Sequence, residues 1–173
     1  KNIYLSQKQI DWWKKLYFYG LGEFFYKNNI KTNIDEFMNI TAGTNKLLKS
    51  EINISDEFTG ALVPIGGGKD SIVTLNVIKD DFANNMCYVI NPRGATEETA
   101  ETAGYGENKR CYVKRTLDKN MLELNKQGYL NGHTPFSSIV AFSALIVAYL
   151  NKKKYIVLSN EASANESTIY EEE

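Results

Sequence analysis

The chain is poor in cysteine and histidine and has almost no net charge. Its 173 residues include two cysteines and one histidine, and its formal net charge is −1. Cys87 and Cys111 lie in apolar runs, and no Cys-x-x-Cys occurs. That argues against a zinc ribbon or a redox pair and marks both as buried strand residues. A near-neutral balance gives the molecule no electrostatic bias toward nucleic acid. The longest apolar segment, Phe136 to Leu150, includes Ser137, Ser138 and Ser143. It falls short of the ~20 residues that a membrane-spanning helix needs. Nothing resembles a signal peptide, an internal repeat or a low-complexity tract. The expectation is a soluble cytoplasmic protein with neither a nucleic-acid nor a membrane partner. The hydrophobic fraction, 43%, suffices for a core. The chain opens on Lys1 rather than Met and closes on Tyr170-Glu171-Glu172-Glu173. It therefore reads as part of a longer protein, cut short at its C-terminal side.

The first third of the chain is helical and aromatic. Ser6 and Gln9 form a capping box, and Ile10, Trp13, Tyr17, Leu21 and Phe24 follow at helical spacing. This stripe reads as a packing face rather than a base-stacking platform. Phe37, Met38 and Ile40 suggest a short strand, and Asn45 to Glu51 a helical turn. Residues 1–57 are thus an N-terminal helical segment or the remnant of a further domain.

From Phe58 the pattern changes to alternating strands and helices. Strands are expected over Ala61 to Ile65, Met86 to Asn91, Arg110 to Arg115 and Tyr155 to Ser159. Helices are expected over Asp70 to Lys79, from a Thr96 cap to Gly104, from an Asp118 cap to Gly128, and from Thr134-Pro135 to the lysines 152–154. Near-continuous apolar strands separated by helices mean an α/β domain over 58–173, with a parallel, doubly wound sheet covered on both faces. Such sheets bind ligands at the carboxyl ends of their strands, where strand order reverses. Gly66 to Gly68, Asn91-Pro92-Arg93 and Ser159-Asn160-Glu161 should converge there, with the loop Asn131-Gly132-His133 opening on the same side.

Leu62 to Ser71 reads Leu-Val-Pro-Ile-Gly-Gly-Gly-Lys-Asp-Ser: strand, glycine turn, helix start. Glycines admit positive φ and close backbone approach. A helix N-terminus offers unpaired N–H groups and positive dipole character to an anion. A phosphate chain is the natural ligand. A Walker loop would need glycine at Val63, and a dinucleotide fingerprint would need glycine at Ser71, so neither motif fits. The plain alternative is a glycine-rich βα turn with ordinary capping.

The turn resembles the PP-loop, Ser-Gly-Gly-x-Asp-Ser, of the ATP pyrophosphatase (adenine nucleotide alpha hydrolase-like) superfamily. Gly67, Gly68, Asp70 and Ser71 match, and Gly66 replaces the usual serine. Together with Asn131-Gly132-His133-Thr134-Pro135 and Leu158 to Glu166, it resembles the UDP-N-acetylmuramoyl-L-alanyl-L-glutamate epimerase family, over roughly residues 58–168. That resemblance implies an isomerase of peptidoglycan precursor synthesis, with ATP and Mg²⁺ as cofactors and a UDP-MurNAc-dipeptide as substrate. ATP would adenylate the glutamate α-carboxylate with loss of pyrophosphate; proton removal, return of a proton to the other face and hydrolysis would then give D-glutamate and AMP.

On that reading Gly66, Gly67, Gly68 and Ser71 hold the pyrophosphate, and Asp70 and Glu161 serve magnesium. Lys69 either adds positive charge or points to solvent. Backbone at Val89 to Asn91 reads adenine, and Asn160 contacts cofactor or substrate. His133 is a candidate base, with Glu161 and Glu166 competing, or else a loop histidine satisfying backbone groups. Thr96, Glu97 and Glu98 are ordinary helix-start residues or substrate contacts. A PP-loop amide-forming ligase, a nucleotide-modifying enzyme and a non-catalytic adenine-nucleotide-binding module are the other readings.

Overall fold

A computed structural model of the chain describes residues 4–43, 57–132 and 136–159. It divides into two compact units, one of residues 1–53 with 117–138 and one of residues 54–116 with 139–173.

In the first unit, helix α1 (Gln7–Gly20) opens on the expected capping box. Ser6 Oγ accepts from the Gln9 N–H, while the Gln9 side chain accepts from the Ser6 N–H. Leu21 separates α1 from α2 (Gly22–Lys27). The aromatic stripe packs partly upon itself: Phe18, Phe25 and Phe37 form a trio with ring centroids 5.4–5.9 Å apart. The strand expected at Phe37, Met38 and Ile40 does not form. Asn33 closes a turn there by accepting the Asp35 and Glu36 N–H groups, and Phe37 is drawn into the trio. The turn expected at Asn45 to Glu51 lies outside the described residues. Helix α5 (Lys119–Lys126) begins on Asp118, whose carboxylate accepts from the Asn120 and Met121 N–H groups. It ends as expected before Gly128, at φ +83°.

The second unit contains a four-stranded, all-parallel sheet in the order β3-β2-β1-β4. Its strands are β1 (Ala61–Pro64), β2 (Met86–Ile90), β3 (Arg110–Val113) and β4 (Tyr155–Ile156). Alternation along each strand assigns side chains to two faces. On one face Val63, Ile65, Cys87 and Val89 pack with Leu75 of α3 (Lys69–Val77) and Ala100 of α4 (Gly94–Thr102). On the other, Leu62 and Tyr88 pack with Ala144, Val147 and Ala148 of α6 (Phe136–Leu150). Burying a side chain such as Leu75 contributes about 1.5–3 kcal/mol. Both cysteines lie on strands, Cys87 buried and Cys111 half-buried, and both are free thiols.

Polar braces fix the sheet's entry. Asn85, itself buried, accepts the Ala61 N–H (2.9 Å) and donates to the Ile78 carbonyl (2.9 Å). Tyr88 donates its hydroxyl to Ser143 Oγ (2.7 Å) and so ties β2 to α6. The expected cap at Thr96 proves to lie inside α4. The helix starts two residues earlier, because the Thr96 hydroxyl accepts from the Arg93 N–H (2.9 Å) and donates to the Arg93 carbonyl (2.7 Å). The lysines after α6 reach beyond that helix: Lys152 pairs with Glu57 (2.6 Å) and Lys153 donates to the Asn84 carbonyl (2.7 Å). No described helix is long and apolar enough to cross a membrane.

Candidate active site

β1 lies between β2 and β4. The chain steps from β1 outward to β2 and β3, then returns to β4 on the opposite flank. The strand order therefore reverses between β1 and β4, the position at whose carboxyl edge a doubly wound sheet takes its ligand. The turn after β1 borders it.

The three glycines of that turn do different work. Gly67 has φ +85°, and a Cβ placed on it would meet the Ala95 carbonyl carbon and the Thr96 nitrogen at 3.0 Å. It is glycine because the backbone is left-handed and because the first turn of α4 presses against it. Gly66 and Gly68 are exposed, and a Cβ on either would meet none of the described residues within 4 Å. Among these residues nothing plugs the mouth of the turn. Gly68 is the N-cap of α3 and supplies no side chain to the first turn, where the Ser71 N–H donates to the Gly68 carbonyl (3.2 Å).

Ser71 is buried beneath the turn, and its Oγ accepts the Gly66 N–H at 3.2 Å. The hydroxyl is therefore a brace of the loop, and the Gly66 N–H is occupied by that brace. Lys69 is exposed at the first position of α3, and Asp70 follows it, half-buried.

The exits of β2 and β4 flank this turn. Asn91 has φ +49°. Its side chain accepts from the Arg115 N–H (2.7 Å) and donates to the Arg115 carbonyl (2.8 Å), while its own N–H donates to Val113 (2.9 Å). The Asn91 side chain thus clamps the segment after β3. On the other flank, Thr74 of α3 and Ser159 after β4 share a hydroxyl hydrogen bond of 2.7 Å. This pair was missed in the sequence. Its only signal there is that Thr74 follows Ser71 by three positions and so shares the sheet-facing side of α3.

Asn160, Glu161, Glu166 and His133 lie outside the described residues. The two residues before His133 pack on α2: Asn28 donates to the Asn131 carbonyl (3.2 Å), and a Cβ on Gly132 would meet Phe24 at 2.8 Å. Among the described residues no three His, Cys, Asp or Glu side chains cluster to hold a metal. A magnesium ion at Asp70 would draw most of its ligands from phosphate oxygens and water, the usual arrangement for that ion at a nucleotide. An open glycine mouth with one adjoining carboxylate fits such a shared ion.

The profile of the MurL N-terminal domain matches residues 1–173. The chain belongs to the MurL N-terminal domain family. Three similar relatives each bear the name UDP-N-acetyl-alpha-D-muramoyl-L-alanyl-L-glutamate epimerase. The Micromonospora protein is 30% identical over 154 residues, 89% of this chain and 33% of its own length. The Salinispora tropica protein is 27% identical over 154 residues, 89% of this chain and 32% of its own length. The Xanthomonas oryzae protein is 29% identical over 152 residues, 88% of this chain and 32% of its own length. This MurL N-terminal domain therefore spans about a third of the curated relatives it matches. No solved structure matches it significantly.

Proposed function

We propose that this chain is the ATP-handling part of an epimerase that inverts the terminal L-glutamate of UDP-MurNAc-L-Ala-L-Glu in peptidoglycan precursor synthesis, and that the turn after β1 is a PP-loop. The observation that carries the reading is the Gly66–Gly68 turn, open among the described residues and feeding a helix without a side-chain cap beside the strand-order reversal. The relatives' shared name supports the substrate and the outcome.

ATP supplies a leaving group: the glutamate α-carboxylate takes AMP, pyrophosphate departs, and the α-proton becomes acidic. The protein's task is to hold negative charge where it develops. The Gly67, Gly68 and Lys69 backbone and the α3 dipole face the departing phosphates. The Gly66–Ser71 hydrogen bond keeps those donors in place. Asp70 would hold a magnesium ion, which would screen the phosphates' negative charge. Backbone at the β2 exit, around Val89 to Asn91, receives the adenine, with the Asn91 clamp fixing its course. Lys69 adds positive charge at the helix start. His133 and Glu161 are assigned to proton removal and return on the two faces of the α-carbon, and Asn160 to orienting the substrate. Hydrolysis then releases AMP and the D-glutamyl product.

The test is product analysis on the full-length protein with ATP, magnesium and UDP-MurNAc-L-Ala-L-Glu. Expected are AMP, pyrophosphate and UDP-MurNAc-L-Ala-D-Glu in equal amounts, all lost in Asp70→Ala. Inversion without ATP, or ATP binding without turnover, would overturn the proposal.

A further inference from the structure

Among the described residues, helix α6 carries a surface that is largely uncovered. Its fifteen residues contain no charged side chain. Apart from Ser137, Ser138 and Ser143 its residues are apolar on every side, the pattern of a helix covered on more than one face. Here Val140, Ala144, Val147 and Ala148 face the sheet. On the far side, Leu145 is 57% exposed, Ile146 62% and Tyr149 50%, the last with its ring 5.8 Å from that of Phe58. These three recur at i, i+1 and i+4, a continuous helical stripe. Leu158, 50% exposed, extends the apolar surface past the end of β4, because alternation from Ile156 puts it on the α6 side of the sheet. β4 pairs only with β1, and its outer edge is open, among the described residues. All-parallel sheets are covered on both faces, and a bare strand edge is a template for further pairing.

We infer that this stripe and the open edge of β4 are the seat of the remainder of the full-length epimerase, the two thirds that the relatives possess beyond the stretch matched here. Three observations select that occupant over a second copy of the chain. The matching family is defined as an N-terminal domain, and the relatives are about three times as long as the matched stretch. The uncovered helix face adjoins the open edge of a parallel sheet, which is extended by crossover units of the same polypeptide. The stripe lacks charge, as does a surface buried within one protein; a surface that stays exposed part of the time carries a polar rim.

The experiment places a benzophenone maleimide on Leu145→Cys, and separately on Tyr149→Cys, in the full-length protein. Photolysis is followed by peptide mapping of the cross-link and by sizing of the product. Expected is an intramolecular cross-link from both positions to peptides outside residues 1–173, with the same yield across a hundredfold dilution. Cross-linking to residues 4–43, intermolecular products that fall with dilution, or reaction with solvent alone would each overturn the assignment. The two positions lie four residues apart on an exposed face, so a variant that fails to fold leaves the other to report.

Discussion

Helices α3 and α5 have nearly the same length and start in opposite ways. α5 carries its own anion: the Asp118 carboxylate accepts two first-turn N–H groups. α3 begins on Gly68, which has no side chain to offer, and a Cβ there would meet none of the described residues within 4 Å. α4 lies between these cases, with the Thr96 hydroxyl folded back onto Arg93. Where a chain needs only a helix, it fills the N-terminus from within. Where a helix start has no side-chain cap beside a strand-order reversal, an acceptor can come from outside, and for α3 we propose a phosphate.

Exchanging the two starts is the strongest way to break that contrast. Gly68 has the extended backbone of an N-cap, at φ −100° and ψ 176°, so Gly68→Asp gives α3 the device α5 already has. Stability should rise by a few tenths of a kcal/mol. ATP affinity, by calorimetry on the full-length protein, should fall about 100-fold, because a fixed carboxylate occupies the phosphate's place. Unchanged affinity would show that α3's N-terminus is not the phosphate seat.

Gly67→Ala sharpens the contrast by separating folding from binding. Its left-handed backbone and the 3.0 Å approach to Ala95 and Thr96 predict a loss of about 2 kcal/mol in urea denaturation. Gly66→Ala, in open space at an ordinary φ, should stay within about 0.5 kcal/mol of the parent. Equal losses would mean that the turn's glycines are interchangeable. At the other helix, Asp118→Ala should cost about 1 kcal/mol and leave nucleotide affinity unchanged.

The smallest effect at neutral pH belongs to the sheet beneath the turn. Burial pushes the Cys87 thiol up to about 12, against the weaker pull of Arg110 and Lys109, from an ordinary value of 9.0. Between those values the unfolded chain has lost this proton and the folded chain keeps it. This contribution to stability is therefore complete below about 9 and declines as pH rises toward 12. Urea midpoints measured from pH 7 to 10.5 should fall more steeply for the parent than for Cys87→Ala. Parallel slopes would remove the thiol as the cause.

Much of the fold was legible because local pattern and global structure agree. The apolar runs at β1 and β2, the Ser6 and Asp118 caps and the glycines that end α4 and α5 are local signals, and each stands within a residue or two of its expected place. What escaped depends on partners distant in sequence. Phe37 is drawn from a strand pattern into the ring trio with Phe18 and Phe25. Thr96 looks like a cap until Arg93 is seen to precede it with its N–H aimed back at the hydroxyl. In the site, the glycine turn and its placement on the carboxyl edge could be read from the sequence. The inward brace of Ser71, the Asn91 clamp on Arg115 and the Thr74–Ser159 pair could not. Each is set by the register of parallel strands separated by helices, which a linear pattern does not encode.

Isotope exchange tests most directly whether the bare start of α3 seats a leaving pyrophosphate. The full-length protein is incubated with ATP, magnesium, labelled pyrophosphate and UDP-MurNAc-L-Ala-L-Glu, and label entering ATP is counted. The account predicts exchange that requires the dipeptide substrate and is abolished by Gly68→Asp. Epimerisation that proceeds with no label in ATP, or exchange that survives Gly68→Asp unchanged, would contradict it.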